Sequence, residues 1–308
     1  MSLSLQYIYN AFNDASRTTD PCGLIHETIK KLVGDILPPA DDNIYVMTYN
    51  VYFIAMKDSI RVNNIANIIN NKVTWDNTHT STHPGTFDFI ATQESSDEWK
   101  TLYKLLDDTK YGYCNSHDHH KGNTKPNPVV NHVTYYNKTK YEIVKDTNGV
   151  QIVNPFGSIR AKHCILFQNI KTKVNYLFIN LHNSHKINSQ QRNVLIDDIN
   201  NAVKNIKVHY SNIIVAGDFN DEGRAYHTGF DIQPSIHTSI KPPNPANIHV
   251  KCEIHPPKSL PGKDTCDYVI SNLPIQQIFV PLSEEWKNKN THPQSDHFPV
   301  VAVLRHTS

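Results

Sequence analysis

Ile213-Ile214-Val215-Ala216-Gly217-Asp218-Phe219-Asn220 is an apolar run that stops at a glycine and hands over to short polar side chains. It reads as a buried strand whose rigid backbone holds Asp218 and Asn220 at its C-terminal end, with their tips in a cleft. The same form recurs along the chain. Asn50 ends Ile44-Tyr45-Val46-Met47-Thr48-Tyr49, Glu94 ends Phe87-Asp88-Phe89-Ile90-Ala91-Thr92-Gln93, and His182 ends Tyr176-Leu177-Phe178-Ile179-Asn180-Leu181. Asp267 stands before Tyr268-Val269-Ile270, and Asp296-His297 precedes Phe298-Pro299-Val300-Val301-Ala302-Val303-Leu304. One polar strand end is ordinarily a cap or a turn residue. Repeated through one chain, and always as Asn, Asp, Glu or His, it fits a hard divalent cation with oxygen ligands beside imidazole acid/base groups.

Around these runs, strand and helix patterns alternate. Strands at 44–49 and 87–92 are followed by helical patterns at 59–71 and 97–107, which is α/β punctuation. Segments 133–136, 141–145, 161–168 and 174–181 then follow one another as strands joined by short turns such as Asn137-Lys138 and Lys171-Thr172, an antiparallel meander. A helix at 189–206 leads to the strand from Asn212, and strands near 267–271 and 298–304 close the chain. One α/β domain over residues 43–305 accounts for this pattern. It follows an N-terminal extension, 1–42, with one amphipathic helix that Asp20 and Pro21 start and Pro38-Pro39 ends. Two long segments without strand or helix pattern, 112–131 with His117, His119 and His120 and the proline-rich 221–262, read as loops suited to substrate contact.

The chain has 308 residues, and its net charge of +1 excludes capture of polyanions by the whole surface. A local basic rim remains compatible with that balance, and Arg160, Lys162, Lys121, Lys125 and Lys263 are its candidates. Cys22, Cys114, Cys164, Cys252 and Cys266 show no CxxC spacing, which argues against a disulfide framework or a structural zinc site. Neither a basic, apolar leader nor an apolar stretch of membrane-spanning length occurs, so the expectation is a soluble intracellular protein.

Met47-Thr48-Tyr49-Asn50-Val51, Thr92-Gln93-Glu94, Asn180-Leu181-His182, Gly217-Asp218-Phe219-Asn220, Asp267-Tyr268-Val269-Ile270 and Ser295-Asp296-His297-Phe298-Pro299-Val300 resemble, in order, the motifs of the endonuclease/exonuclease/phosphatase superfamily with the DNase I-like fold. The resemblance implies a four-layer α/β/β/α sandwich of two mixed, mostly antiparallel β-sheets packed face to face, with helices outside. It also implies Mg²⁺- or Mn²⁺-dependent cleavage of a phosphoester. By the same resemblance Glu94 is the principal metal-binding carboxylate, with Asn50 beside it and Asp296 as a further metal contact. Asp218 and Asn220 correspond to the pair that orients the attacking water and holds the phosphate. His297 corresponds to the essential histidine, oriented by Asp267, and His182 to a second histidine near the phosphate or leaving group. Arg160 falls where relatives place a basic phosphate contact.

Some positions depart from particular branches. Tyr52 stands two residues after Asn50, where abasic-site endonucleases carry an Asp, and Asp221-Glu222 and Tyr268 differ from the inositol 5-phosphatase pattern. The resulting expectation is a monomeric phosphodiesterase acting on nucleic acid. Its rivals are an enzyme for a lipid or sugar phosphate, and a catalytically silent binding module, against which intact Glu94, Asp218, Asn220, Asp267 and His297 argue.

Overall fold

The computed structural model describes residues 43–53, 55–70, 85–119, 131–149, 151–156, 162–183, 189–220, 267–279, 297 and 299–305. The expected N-terminal helix, the boundary before residue 43 and the loop at 221–262 lie outside the described residues. In chain order the strands are β1 (Asn43–Asn50), β2 (Phe89–Gln93), β3 (Tyr111–Asn115), β4 (Val133–Asn137), β5 (Tyr141–Ile143), β6 (Val153–Phe156), β7 (Lys162–Asn169), β8 (Asn175–His182), β9 (Asn212–Asp218), β10 (Asp267–Ser271), β11 (Ile275–Phe279) and β12 (Val300–Arg305). The helices are α1 (Ser59–Ile69), α2 (Trp99–Leu105) and α3 (Ser189–Lys204). Asp58 caps α1 by accepting from the amides of Ile60 and Arg61, as the exposed donors of a first turn require.

One sheet has the order β11-β12-β1-β2-β4-β3, and the other β10-β9-β8-β7-β5 with β6 also on β7. Most described pairings run antiparallel, but β1 with β2 in one sheet and β8 with β9 in the other are parallel. A parallel pair needs a crossover, and α1 and α3 lie within those two connections. Three buried apolar clusters mark the layers. Met47, Tyr49 and Ile90 pack with Ile65, Ile68 and Leu102 of α1 and α2. Leu177, Ile179, Ile213 and Val215 pack with Leu195 and Ile199 of α3. Val46, Phe89, Phe167, Phe178, Ile214 and Ala302 meet between the sheets. The arrangement is therefore the four-layer α/β/β/α sandwich, with helices on both outer faces.

Three strands are not evident from sequence pattern, each for a local reason. β3 takes the start of the expected 112–131 loop, followed by a 3₁₀ turn at Ser116–His119. Its Gly112 reads as a breaker, yet a side chain there would place Cβ 2.5 Å from Cζ of Tyr136 on β4, so glycine makes room for that ring as the strands pair. β6 contains Pro155, tolerable because among the described residues it pairs with β7 alone. β11 shifts register against β12 between Ile275 and Gln277, which breaks its alternation.

The layer between the sheets is graded. At one end aromatic rings fill it, with Phe89 against Tyr141, Phe167 and Phe178 at centroid distances of 4.5 to 5.2 Å. Toward the C-terminal ends of the parallel pairs it turns polar. Nε2 of Gln93 on β2 donates to Oδ1 of Asn180 on β8 (3.0 Å), and Nδ2 of Asn180 lies within reach of Oγ1 of Thr134 (3.1 Å) and the carbonyls of Val133 (3.1 Å) and Thr92 (3.3 Å). Thr134 continues the chain to Nε2 of His163 on β7 at 2.8 Å. Asn180→Ala removes the centre of this buried network, so it should lower unfolding free energy by about 3 kcal/mol in chemical denaturation. A loss below about 1 kcal/mol would show that the network does not lock the sheets.

Candidate active site

Alternation along each strand decides which side chains reach the space between the sheets. Met47 and Tyr49 face α1 and α2, so Thr48 and Asn50 face the opposite sheet. Leu177, Ile179 and Leu181 face α3, so Asn180 and His182 point inward, and the same parity turns Asp218 and Asp267 inward from β9 and β10. Asp218 and Asp267 are direct neighbours across the β9–β10 ladder, and His182 and Asp218 across the β8–β9 ladder. Gly217 is needed for this closeness, because a Cβ there would overlap the carbonyl oxygen of Leu181.

The inward groups converge on Asp218, which is fully buried. Its Oδ2 accepts from Nδ2 of Asn50 (3.0 Å) and lies 3.4 Å from Nε2 of His182 and 3.7 Å from Nε2 of His297. Its Oδ1 accepts from the Asn220 amide (2.8 Å), and Asn220 in turn donates through Nδ2 to the Asn183 carbonyl (2.7 Å). Asn50 Nδ2 also lies 3.4 Å from Oε1 of Glu94, which is 3.7 Å from Nε2 of His182. Oδ2 of Asp267 lies 2.8 Å from Nδ1 of His297. A carboxylate at that distance places the ring proton on Nδ1 and turns Nε2 toward Asp218. Asn50, Glu94, His182, Asp218, Asn220, Asp267 and His297 are thus brought together. Arg160 and Asp296 lie outside the described residues.

Burial is the main reason the Asp218 carboxyl is pushed up to about 7; the charge of His297 opposes the rise, the charge of Asp267 adds to it, and the Asn50 and Asn220 donors oppose it. Backbone strain concentrates in the same place. Among the described residues, non-glycine positive φ occurs at Tyr52, Glu94, Ser96 and Asn220, and at Lys173 in the β7–β8 turn. Strain of this kind persists only where the surroundings over-determine it.

The donor set fits a hard divalent cation. Glu94 is the carboxylate at the open side of the cluster, 9% exposed where Asp218 is fully buried, and it offers oxygen ligands of the kind Mg²⁺ prefers; Asn50 turns Nδ2 toward it while its Oδ1 accepts from the Tyr52 amide (3.1 Å), so Asn50 could add an oxygen only with its amide turned over. Asp218, Asp267 and His297 also bring three ligand-type atoms within 4.8 Å of one another. Asp267 is engaged with His297 there, which favours acid/base work for that trio over metal ligation.

Two expectations change. Lys162 does not line the cleft: it is buried, and by alternation it shares the face of Cys164 and Leu166, which pack toward α3. The segment from 112 is a strand and a 3₁₀ turn as far as residue 119. The motifs include Gln93 and Asn180 without giving either a role, and they omit Asn131, His132, Thr134, Asn183 and His163. The ring of His132, fully buried, lies 5.8 Å from that of His182. The available signal was polar spacing by two toward a strand end, as in Thr48-x-Asn50, His132-x-Thr134 and Asn180-x-His182.

The raised Asp218 carboxyl has a stability consequence. A buried acid with its folded pKa above the unfolded value stabilises the fold fully below the unfolded pKa and loses that contribution as pH rises through about 7. In metal-free buffer the melting temperature should therefore fall between about pH 5 and about pH 8, with Asp218→Asn much flatter over that window. Parallel wild-type and Asp218→Asn curves would remove this account.

Comparison with known proteins agrees with the geometry. No curated protein matches the chain by sequence. Among solved structures, an endonuclease/exonuclease/phosphatase from Bacteroides vulgatus superposes with a TM-score of 0.59 at 15% identity, covering 86% of this chain and 99% of the other. D. rerio TDP2 complexed with single strand DNA product gives 0.56 at 13%, covering 86% and 100%. The mannosyl-6-phosphatase Bt3783 of Bacteroides thetaiotaomicron gives 0.54 at 17%, covering 85% and 99%. At these identities the likeness speaks for the fold. The sequence itself matches the model of the Endonuclease/Exonuclease/phosphatase family over residues 47–270, the span that runs from β1 to β10 and carries all but the last of the clustered side chains. The chain belongs to the endonuclease/exonuclease/phosphatase family.

Proposed function

We propose that this chain is a divalent-metal-dependent phosphodiesterase that hydrolyses nucleic acid, with Mg²⁺ or Mn²⁺ held by Glu94 and Asn50 and with Asp296 as a further contact. The observation that carries the reading is the setting of Asp218, a buried carboxyl near 7 flanked by two imidazoles and an amide donor. A base poised near neutral pH can take a proton from water and return it, which a carboxylate in its ordinary range does poorly. A bound cation would supply positive charge to the anionic oxygens that otherwise repel a nucleophile.

The chain's own groups do the rest. Asp218 accepts the proton of the attacking water, and Asn220 fixes the direction of Oδ1 through its amide. Asp267 stabilises protonated His297, whose Nε2 faces the same space and can neutralise charge growing on the phosphoryl oxygens. His182 Nε2, between Asp218 and Glu94, serves the phosphate or the leaving oxygen, and Arg160 a phosphate oxygen. One chain provides all of these groups, consistent with a monomeric enzyme. Among the described residues no helix is long and apolar enough to cross a membrane, and the buried free thiols Cys114 and Cys164 fit a reducing intracellular setting.

The nucleic-acid substrate draws on the departures from the inositide pattern and on the fold shared with the DNA-product complex of D. rerio TDP2. The second reading, a sugar phosphate, draws on the equally shared fold of the mannosyl-6-phosphatase. Purified protein with Mg²⁺ or Mn²⁺ should cleave oligonucleotides and lose activity in EDTA. His297→Ala and Asp218→Ala should each lower turnover at least ~10²-fold with folding retained. Near-wild-type turnover in either variant, or full activity after exhaustive chelation, would sink the mechanism.

Substrate class is separable by salt. Affinity of His297→Ala for a 20-mer oligonucleotide should fall steeply between about 50 and 200 mM salt if several phosphates are engaged. A flat response without oligonucleotide competition would select the sugar or lipid phosphate.

A further inference from the structure

Glu94 and Ser96 both lie in the left-handed region, with φ of 56° and 47°, in a turn that no glycine relieves. Each such residue costs roughly 1–2 kcal/mol, so the turn must be held from outside. The holding groups come from the start of β4. The Asn131 carbonyl accepts from the Ser95 amide (2.9 Å), and Nδ2 of Asn131 donates to the Ser96 carbonyl (3.2 Å). Oδ1 of Asn131 accepts from Oγ of Ser116 (3.3 Å), and the same hydroxyl oxygen accepts from the His132 amide (3.2 Å). Only one orientation of the Asn131 amide satisfies both contacts, because the Ser96 carbonyl requires a donor. Thr92 Oγ1 completes the brace, lying 2.8 Å from Ser95 Oγ and donating to the Val133 carbonyl at 2.9 Å. Asn131 and Ser116 are fully buried.

We infer that Asn131 is a positioning residue for Glu94: it clamps Ser95 and Ser96, and so fixes the backbone conformation that aims the Glu94 carboxylate at Asn50 and the cation. This rests on the reading of Glu94 as a metal-binding carboxylate. The clamp is reached through the chain rather than by contact with Glu94 itself. Removing it lets the turn relax toward ordinary φ values and swings the carboxylate away, while the sheets, tied at Gln93 and Asn180, remain in place.

The test is metal-induced thermal stabilisation, read by titrating Mn²⁺ into metal-free protein, alongside steady-state kinetics. Asn131→Ala should raise the Mn²⁺ concentration for half-maximal stabilisation about ten-fold or more, the range typical of groups that orient metal ligands. Turnover at saturating metal should stay within about three-fold, because the acid/base groups are untouched. A purely structural role would lower the metal-free melting temperature and leave the Mn²⁺ midpoint within about two-fold of wild type, which would overturn the inference. Should Asn131→Ala fail to fold, Ser116→Ala frees the amide more gently and should still shift the midpoint upward; an unchanged midpoint counts against the clamp. Glu94→Gln separates the two levels of the argument. If it abolishes the stabilisation while Asn131→Ala does not weaken it, the positioning role alone fails. If neither variant alters it, Glu94 is not the metal ligand and both readings fall.

Discussion

Two β-sheets packed face to face would normally seal their interface with apolar side chains, and here one end of that interface is built from amides, hydroxyls and carboxylates instead. What makes this tolerable is the set of hydrogen bonds crossing between the sheets, centred on Gln93 to Asn180 and Asn50 to Asp218. A buried polar group left unpaired costs about 1–3 kcal/mol, so each of these bonds does more by preventing that cost than by its own net strength. They also fix register. A slip of one residue in β1 or β9 would turn Asn50 or Asp218 toward the helices and bring Tyr49 or Gly217 to the inner face. The aromatic half of the interface supplies the burial, and the polar half supplies the alignment.

That alignment determines the electrostatics. Each sheet contributes a parallel pair, and parallel pairs end together, so four strand ends with Asn50, Glu94, His182 and Asp218 meet at one rim. Carboxylates so close and so poorly hydrated cannot all remain charged without compensation. Two devices share the load, amide and backbone donors on Asp218 and the imidazoles beside it, and the proposed cation at the more open Glu94 would be a third. Asp218 bears the consequence as a raised proton affinity, and His297 is held ready by Asp267. The raised proton affinity is thus a by-product of burial at strand ends, and no exotic residue is required for it.

Much of this was legible in the sequence because apolar runs that stop at Asn, Glu, His or Asp announce both the strand and the place of its functional end. Asn50, Glu94, His182, Asp218 and Asp267 were readable one at a time. What periodicity does not encode is which strand faces which: Asn50 and Asp218 are 168 residues apart and meet through packing of separate sheets. Edge strands were hidden for local reasons, a glycine in β3, a proline in β6 and a bulge in β11. Thr134, Asn131 and His163 escaped notice because a polar residue in or beside a strand looks like any solvent-facing one until the opposite sheet is known. The lysine at 162 erred the other way, since a cation opening a strand reads as exposed while parity turns it under a helix.

The topology also separates chemistry from selectivity. β9 and β10 are antiparallel neighbours with Asp218 opposite Asp267, so residues 219–266 leave the site and return to it. The connection from Ser116–His119 to Asn131 likewise joins the Glu94 brace at its far end, and the one after Asn183 departs beside His182. Insertions in these connections do not disturb the inter-sheet hydrogen bonds, because loop closure costs only about 0.6 kcal/mol per doubling of length. Changes at Asn50, Asp218 or Asn180 would disturb them at once. A fold organised this way can keep its phosphoester chemistry fixed at strand ends while the segments between them diverge, which is the pattern expected when solved structures 11–18% identical to this chain superpose along most of their length.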